Sequence, residues 1–140
     1  MLRILVPILA VLLSALPAAS QWRQQAIAQL AADAEYLTNR GYRMSDVFTN
    51  SLNDGGSRQH EIRLTGGVAY AIVGECDEDC SDLDFELFDA AGNPVDDDLA
   101  VDDTPVVQVT PRRTGTFTLR VKMASCSTNP CFYGVGIFNQ

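Results

Sequence analysis

Positive charge is scarce in this 140-residue chain. It has 10 Lys and Arg residues against 18 Asp and Glu residues, which gives a formal net charge of −8 at pH 7. Nucleic acids and anionic lipid surfaces recruit proteins through positively charged faces. We therefore expect no nucleic-acid partner and no attachment to a lipid surface through basic residues. The acidity suits an exported, water-soluble protein and is compatible with a bound divalent cation.

Histidine is nearly absent, and the short motifs of common catalytic sites are missing. The one histidine is His60. A Ser–His–Asp hydrolase would have to use it, yet no Gly-x-Ser-x-Gly elbow accompanies it. The pairs Gly55–Gly56 and Gly66–Gly67 are typical of turns, not of phosphate-binding loops. A lone histidine near a strand start is usually structural. We therefore predict no catalytic residues and a protein that is not an enzyme.

No apolar run reaches the roughly 20 residues that a membrane-spanning helix needs. The longest run, residues 4–16, follows Arg3 and precedes small residues. This order is typical of a secretory signal peptide, with Ala18 and Ser20 suited to the −3 and −1 positions of the cleavage site. We predict a cleaved signal peptide at residues 1–20, a secreted or periplasmic protein, and no stable membrane insertion after cleavage. A retained N-terminal anchor is the alternative.

The chain has four cysteines: Cys76, Cys80, Cys126 and Cys131. An even number in an exported protein predicts two disulfides. Local pairs are favoured because each closes a short loop flanked by turn residues, and the second would staple a hairpin of segments 116–123 and 132–138. Crossed pairs stay open, because Cα separations cannot be read from sequence. A zinc site is a weaker alternative, since the spacings are not C-x2-C.

The spacing of apolar residues over 22–39 predicts one helix. Apolar side chains recur at steps of three and four residues and form one stripe: Trp22, Ala26, Leu30, Ala34 and Leu37. We expect this stripe to pack on the rest of the protein, and the alternative is a helix that binds a partner or a membrane surface. Gly41 follows as a natural helix stop. Residues 42–59 are rich in Asn, Asp, Ser and Gly and predict a connector, with a short strand at 46–49 at most.

From His60 the apolar residues alternate with polar ones, which predicts strands. Residues 68–73 are apolar on both faces, as expected of a central strand covered on both sides. The remaining strand candidates are segments 60–64, 83–88, 105–110, 116–123 and 133–137. Strands without intervening helices must connect as hairpins or Greek keys and are therefore antiparallel. We predict a mainly β protein, a jelly-roll-like β-sandwich at residues 60–140, preceded at 21–59 by a helix lying on its edge or end and the connector.

Two acidic segments are the most unusual local feature. One contains Asp77, Asp79, Asp82 and Asp84, and the other contains Asp98. Calcium takes six to eight oxygen ligands, often from several carboxylates on loops. If the two segments meet at one end of the sandwich, these five residues form a calcium site. The EF-hand pattern is absent. Solvated turns on an acidic surface are the alternative.

Three segments carry a resemblance to a known family. Residues 64–70 (LTGGVAY), 82–92 (DLDFELFDAAG) and 114–121 (TGTFTLRV) resemble the bacterial pre-peptidase C-terminal (PPC) domain family. The resemblance implies a jelly-roll β-sandwich that is appended to secreted peptidases and is not itself catalytic. Some relatives bind calcium or polymers such as collagen, and only Asp82 and Asp84 match the family's acidic strand entry. The chain departs from the family by carrying no peptidase, by two cysteine pairs and by its own helix.

These observations favour a non-catalytic, free-standing exported binding or interaction module stabilised by calcium. Its ligand is an unidentified protein or polysaccharide. Two alternatives belong to other classes. One is a structural cell-envelope protein that docks a partner through its N-terminal helix, and the other is a small hydrolase that uses His60 and carboxylates.

Overall fold

The computed structural model describes residues 17–140. The predicted signal peptide lies mostly outside these residues, so it remains a prediction. Helix α1 spans Ala18–Asp33, and the single turn α2 spans Glu35–Thr38. Eight strands follow in chain order: β1 Arg43–Leu52, β2 Ser57–Leu64, β3 Tyr70–Cys76, β4 Cys80–Phe88, β5 Pro94–Asp98, β6 Val106–Val109, β7 Gly115–Cys126 and β8 Cys131–Asn139. Within the described part of the chain, neither helix has the length and hydropathy required to cross a bilayer.

The strands form two four-stranded antiparallel sheets with the orders β1-β8-β3-β6 and β2-β7-β4-β5. The first strand pairs with the last, the second with the seventh, the third with the sixth and the fourth with the fifth. A long antiparallel ribbon rolled onto itself has this pairing, which is the jelly roll. Among the strands of residues 17–140, β4 and β5 are the one consecutive pair that forms a hairpin, and every other connection crosses from one sheet to the other. The predicted mainly β, jelly-roll-like sandwich is confirmed.

Helix α1 lies on the outer face of the β1-β8-β3-β6 sheet, not on an edge or end of the sandwich as predicted. Its buried Leu30 packs in a cluster with Ala71, Val73 and Phe138 of the sheet. The first four residues of β3, 70–73, are therefore apolar on both sides for two different reasons, because one face meets the second sheet and the other meets the helix. Gly134 on β8 lets the helix approach, since a Cβ at that position would stand 2.9 Å from the Cβ of Ala26.

The segment predicted as a connector contains β1 and the start of β2. The sequence pattern is weak here because β1 is an edge strand whose side chains are only partly buried or exposed. Such a strand needs no clean alternation of apolar and polar residues. The strands of the sandwich therefore begin at Arg43, not at His60.

The two disulfides are the local pairs Cys76–Cys80 and Cys126–Cys131, as favoured by the sequence. The predicted hairpin around the second pair is wrong, because β7 and β8 belong to different sheets. Each disulfide instead closes a crossing between the sheets, from β3 to β4 and from β7 to β8. The two bridges are neighbours, since Cys80 and Cys126 are paired in the register of β4 and β7. They hold the two sheets together at one end of the sandwich.

Candidate binding cleft and sheet edges

A cleft of about 580 Å³ opens between β1 and β2, which are edge strands of opposite sheets. Polar and aromatic side chains from both strands line it, among them Asp46, Phe48, Asn50, His60, Glu61 and Arg63. Clefts of this size that combine aromatic surface with a few polar groups are typical of ligand sites. The cleft is therefore the candidate functional site of the sandwich.

His60 lies partly buried in the wall of this cleft. Its Nε2 is 2.7 Å from the hydroxyl oxygen of the fully buried Tyr133, and its ring centroid is 4.5 Å from that of Phe48. Burial, together with the Arg58 guanidinium, lowers the pKa of His60. Burial also raises the pKa of Tyr133 to about 12. We infer that the neutral imidazole accepts a hydrogen bond from the protonated phenol, an arrangement that fixes the ring.

This environment supports a structural role for His60 and gives the hydrolase alternative little support. A histidine that acts as a general base for a serine needs that hydroxyl on one nitrogen and an orienting carboxylate on the other. Nε2 of His60 is instead engaged by Tyr133, and the cause of its pKa shift is burial and a cation. The expectation that the protein is not an enzyme remains a prediction.

Acidic and amide side chains cap the free edge of β1. The Oδ1 atom of Asp46 accepts the N–H of Val47 at 2.8 Å, and Oδ1 of Asn50 accepts the N–H of Ser51 at 2.9 Å. An edge strand with unpaired N–H groups is a template for pairing with another chain. These local bonds occupy two such groups, so β1 is a poor place for a partner strand.

The opposite edge of the same sheet is capped from β5. Oδ2 of Asp98 accepts the N–H of Val106 at 2.9 Å, and Oδ2 of Asp96 accepts the N–H of Gln108 at 2.7 Å. These bonds tie β5 to β6 across the gap between the sheets and close that side of the sandwich. They also account for two of the three acidic residues at 96–98, because Asp96 and Asp98 both serve the backbone of β6.

The second sheet has two edges, β2 and β5. Strand β5 is tied to β6 through its Asp96 and Asp98 side chains, whereas β2 has neither caps nor such a neighbour among the described residues. Within residues 17–140, no side chain forms a hydrogen bond with the backbone of residues 57–64, which is paired only on its β7 side. The N–H of Met123 donates to the carbonyl of Gly56. Because bonded and non-bonded pairs alternate along an antiparallel ladder, the backbone groups of Gln59, Glu61 and Arg63 face the free edge. An open edge of this kind therefore borders the cleft.

The five predicted calcium ligands are spread over three elements. Asp77 and Asp79 lie in the loop between β3 and β4, where both serve as backbone partners. Oδ2 of Asp77 accepts the N–H of Phe132 at 2.9 Å, and the carbonyl of Asp79 accepts the N–H of Ser127 at 2.8 Å. This acidic loop is therefore bonded to the disulfide-closed connection between β7 and β8.

Asp82 and Asp84 lie on β4, and Asp98 lies on β5. Asp84 is 9% exposed, and burial, with the Asp82 carboxylate as the next cause, raises its pKa. Lys122, its register partner on β7, opposes that shift. Across residues 17–140, no group of three or more His, Cys, Asp or Glu side chains is arranged to hold a metal ion. The five predicted ligands are thus not assembled around a common point in the described residues. Calcium binding stays an untested prediction.

Glu75 on β3 is a buried acidic residue, only 6% exposed, that was not among the residues predicted from the sequence. It shares the outer face of the sheet with Ala71 and Val73, under α1. Burial raises its pKa to about 8, and the carboxylates of Asp33 on α1 and Asp103 add to the shift. Continuing the alternation of residues 68–73 by two positions would have placed Glu75 on a covered face.

Comparison with protein-family models finds no matching family, and a search of curated proteins finds no similar sequence. Function must therefore be argued from the geometry of the cleft, the sheet edges and the buried polar groups.

Proposed function

We propose that this protein is a non-catalytic exported interaction module that binds an extended peptide segment of a partner protein along β2. The observation that carries the proposal is the difference between the sheet edges. Side chains cap the edges of β1 and β6, and the same Asp96 and Asp98 side chains tie the edge strand β5 to β6. The eight-residue strand β2 has backbone groups without such caps or such a neighbour. An added strand gains main-chain hydrogen bonds from an open edge, which is a common mode of peptide recognition.

The cleft gives such a peptide a place for its side chains. Alternate residues of an added strand point to opposite faces, so every second side chain would enter the space beside Phe48 and His60. Glu61 and Arg63 offer both signs of charge at the rim, which favours a peptide with complementary charges. The peptide then takes affinity from its backbone and specificity from the cleft.

The family resemblance, the expected compartment and the alternative functions can each be compared with this proposal. The jelly-roll topology is the fold that the PPC resemblance implies and supports a distant relationship to that family. The two disulfides indicate an oxidising compartment, which supports a secreted or periplasmic protein. The apolar stripe of α1 is already occupied by the sheet, so the envelope-docking alternative loses its contact surface. A polysaccharide ligand in the cleft is the competing outcome.

The test is selection of random peptides, long enough to cover the eight residues of β2, displayed on phage against the immobilised protein. Glu61→Pro removes an outward N–H that we assign to the binding edge, at a position where proline is tolerated. Glu61→Gln changes the charge and keeps the N–H. We expect selected peptides to lose binding at least tenfold with Glu61→Pro and much less with Glu61→Gln, which removes only the charge at the rim. Failure to enrich any peptide, or equal binding to both variants, refutes strand addition.

A further inference from the structure

The outer face of β2 carries two opposite charges that have no partner within the described chain. Glu61 and Arg63 are exposed, and their register partners on β7 are the uncharged Thr118 and Thr116. Neither side chain joins an ion pair within residues 17–140. Residues two apart on a strand lie on the same face, so a second strand with the same two residues, running the other way, can complement both charges.

A two-fold axis restricts how β2 can pair with β2 of a second copy. In such an isologous interface, residue i meets residue j of the copy and residue j meets residue i. The axis must pass through a residue position, because a pairing centred between two residues would join a core-facing side chain to an outward one. Three positions in the middle of the strand satisfy this condition: His60, Glu61 and Ile62.

Charge selects one of these three registers. Centring on His60 places Gln59 opposite Glu61 and forms no ion pair. Centring on Glu61 places two carboxylates opposite each other, which is destabilising. Centring on Ile62 places Glu61 opposite the second copy's Arg63, and the symmetry repeats this pair on the other side of the axis. The strand is therefore complementary to itself in a single central register.

The same register uses the open backbone groups of β2. The N–H and C=O groups of Glu61 and Arg63 face away from β7, since Met123 donates to the Gly56 carbonyl and bonded pairs recur at every second residue from there. When Glu61 lies opposite Arg63 of the copy, the two residues exchange both main-chain hydrogen bonds. Backbone and side chains thus favour the same pairing.

The net charge of −8 opposes self-association in general, but β2 is the least acidic edge of its sheet. The strand carries two arginines and one glutamate, and the adjacent β7 carries one arginine and one lysine and no acidic residue. The acidic residues of the sheet are on β4 and β5. A contact through β2 therefore keeps the acidic surfaces of two copies apart.

We propose that β2 pairs with β2 of a second copy of this chain, antiparallel and centred on Ile62, so that the free protein is a two-fold dimer. This inference rests on the proposed function, because it names what occupies the same edge when no peptide is bound. The four-stranded sheets of the two copies then form one continuous sheet. A peptide that adds to β2 must displace the second copy, so dimerisation controls access to the cleft.

Charge reversal tests the register. Glu61→Arg leaves β2 without an acidic residue and Arg63→Glu places two acidic residues on its outer face, so each variant has like charges opposite each other in its own dimer. We expect each reversal to weaken dimerisation at least tenfold by analytical ultracentrifugation. An equimolar mixture of the two variants restores an opposite charge at every pair, and we expect a heterodimer of near-native affinity. Such rescue also shows that both variants are folded.

Glu78→Arg is the matched control, because it changes the net charge by the same amount at an exposed position between β3 and β4. We expect it to leave dimerisation unchanged. A native protein that stays monomeric at every concentration, or a mixture of the two β2 variants that does not associate, overturns the self-pairing. A monomer that binds selected peptides overturns the dimer and leaves the proposed function intact. A dimer with rescue in the mixture, but without peptide enrichment, supports self-pairing and refutes peptide binding.

Discussion

Glu75 provides the sharpest test of how α1 is held on the sandwich. Its carboxyl group is buried on the outer face of the sheet and has one oxygen, Oε1, without a partner. Burial, with Asp33 and Asp103 adding to it, raises its pKa from 4.5 to about 8. The protonated form is therefore the one that the folded protein accommodates. Deprotonation places a charge beneath the helix, beside the carboxylate of Asp33.

The sign of the pH dependence follows from proton binding. Between pH 4.5 and about 8 the folded state holds a proton on Glu75 that the unfolded chain has lost, so the free energy of unfolding falls as pH rises. This loss approaches about 1.4 kcal/mol per pH unit in the middle of the window and ends above about pH 8. Between about pH 7 and about pH 9 it amounts to about 1.4 kcal/mol. In this range His60, whose pKa is lowered, is neutral in the folded protein and adds little.

The assay is denaturant unfolding across this pH range, followed by the fluorescence of Trp22 on α1. Glu75→Gln keeps the shape and cannot ionise, so we expect its stability to be nearly flat from about pH 7 to about pH 9 and to exceed that of the native protein at the upper end. Exposed Glu78→Gln is the matched control and keeps the native slope. Equal slopes for Glu75→Gln and the native protein would show that Glu75 is already ionised in the folded state, and the reasoning would be wrong.

Three further predictions concern the helix, the sheet edge and calcium. Gly134→Ala should destabilise the protein by about 1–3 kcal/mol, because the new Cβ meets Ala26, whereas Gly115→Ala, with nothing within 4 Å, should change stability little. Chemical denaturation measures both, and equal effects would contradict the close approach of α1. Asp98→Ala should cost about 1 kcal/mol and speed hydrogen exchange at Val106, whose N–H loses its acceptor. Unchanged exchange would exclude the cap. Calorimetric scans with and without EDTA should give the same midpoint, since no ligand set is formed by residues 17–140, and a lower midpoint with EDTA would restore the calcium hypothesis.

The sequence predicted an element well where its buried residues recur at a fixed spacing. Phe117, Leu119 and Val121 alternate with polar residues because β7 is a central strand with one face in the core. The apolar stripe of α1 could also be predicted, because one face of the helix is buried and the other is exposed to solvent. The local disulfides were favoured by the short spacing within each cysteine pair and by the turn residues beside it. These features depend on neighbours along the chain, so a linear pattern predicts them.

The sequence was least informative at the edges and at the contacts between elements. Of strand β1 only the short segment 46–49 was anticipated, because an edge strand is half exposed and its polar residues cap its own backbone instead of forming a loop. The acidic residues predicted to bind calcium were assigned by composition alone. Asp98 serves the backbone of β6, and Asp77 serves that of Phe132, through pairings that span 8 and 55 residues.

Sequence alone determined the hydrophobic periods of the main strands and the class of fold, because both arise from local spacing and from the side of each element that avoids water; it favoured the local cysteine pairs without deciding them. The tertiary structure alone decided which strand crosses to which sheet, where α1 rests and which edge stays open. Those outcomes depend on residues far apart in the chain meeting at a particular distance, as Gly134 meets Ala26 and Glu75 meets Asp33. No repeat in the sequence encodes such a distance, because it is set by the packing of the whole sandwich.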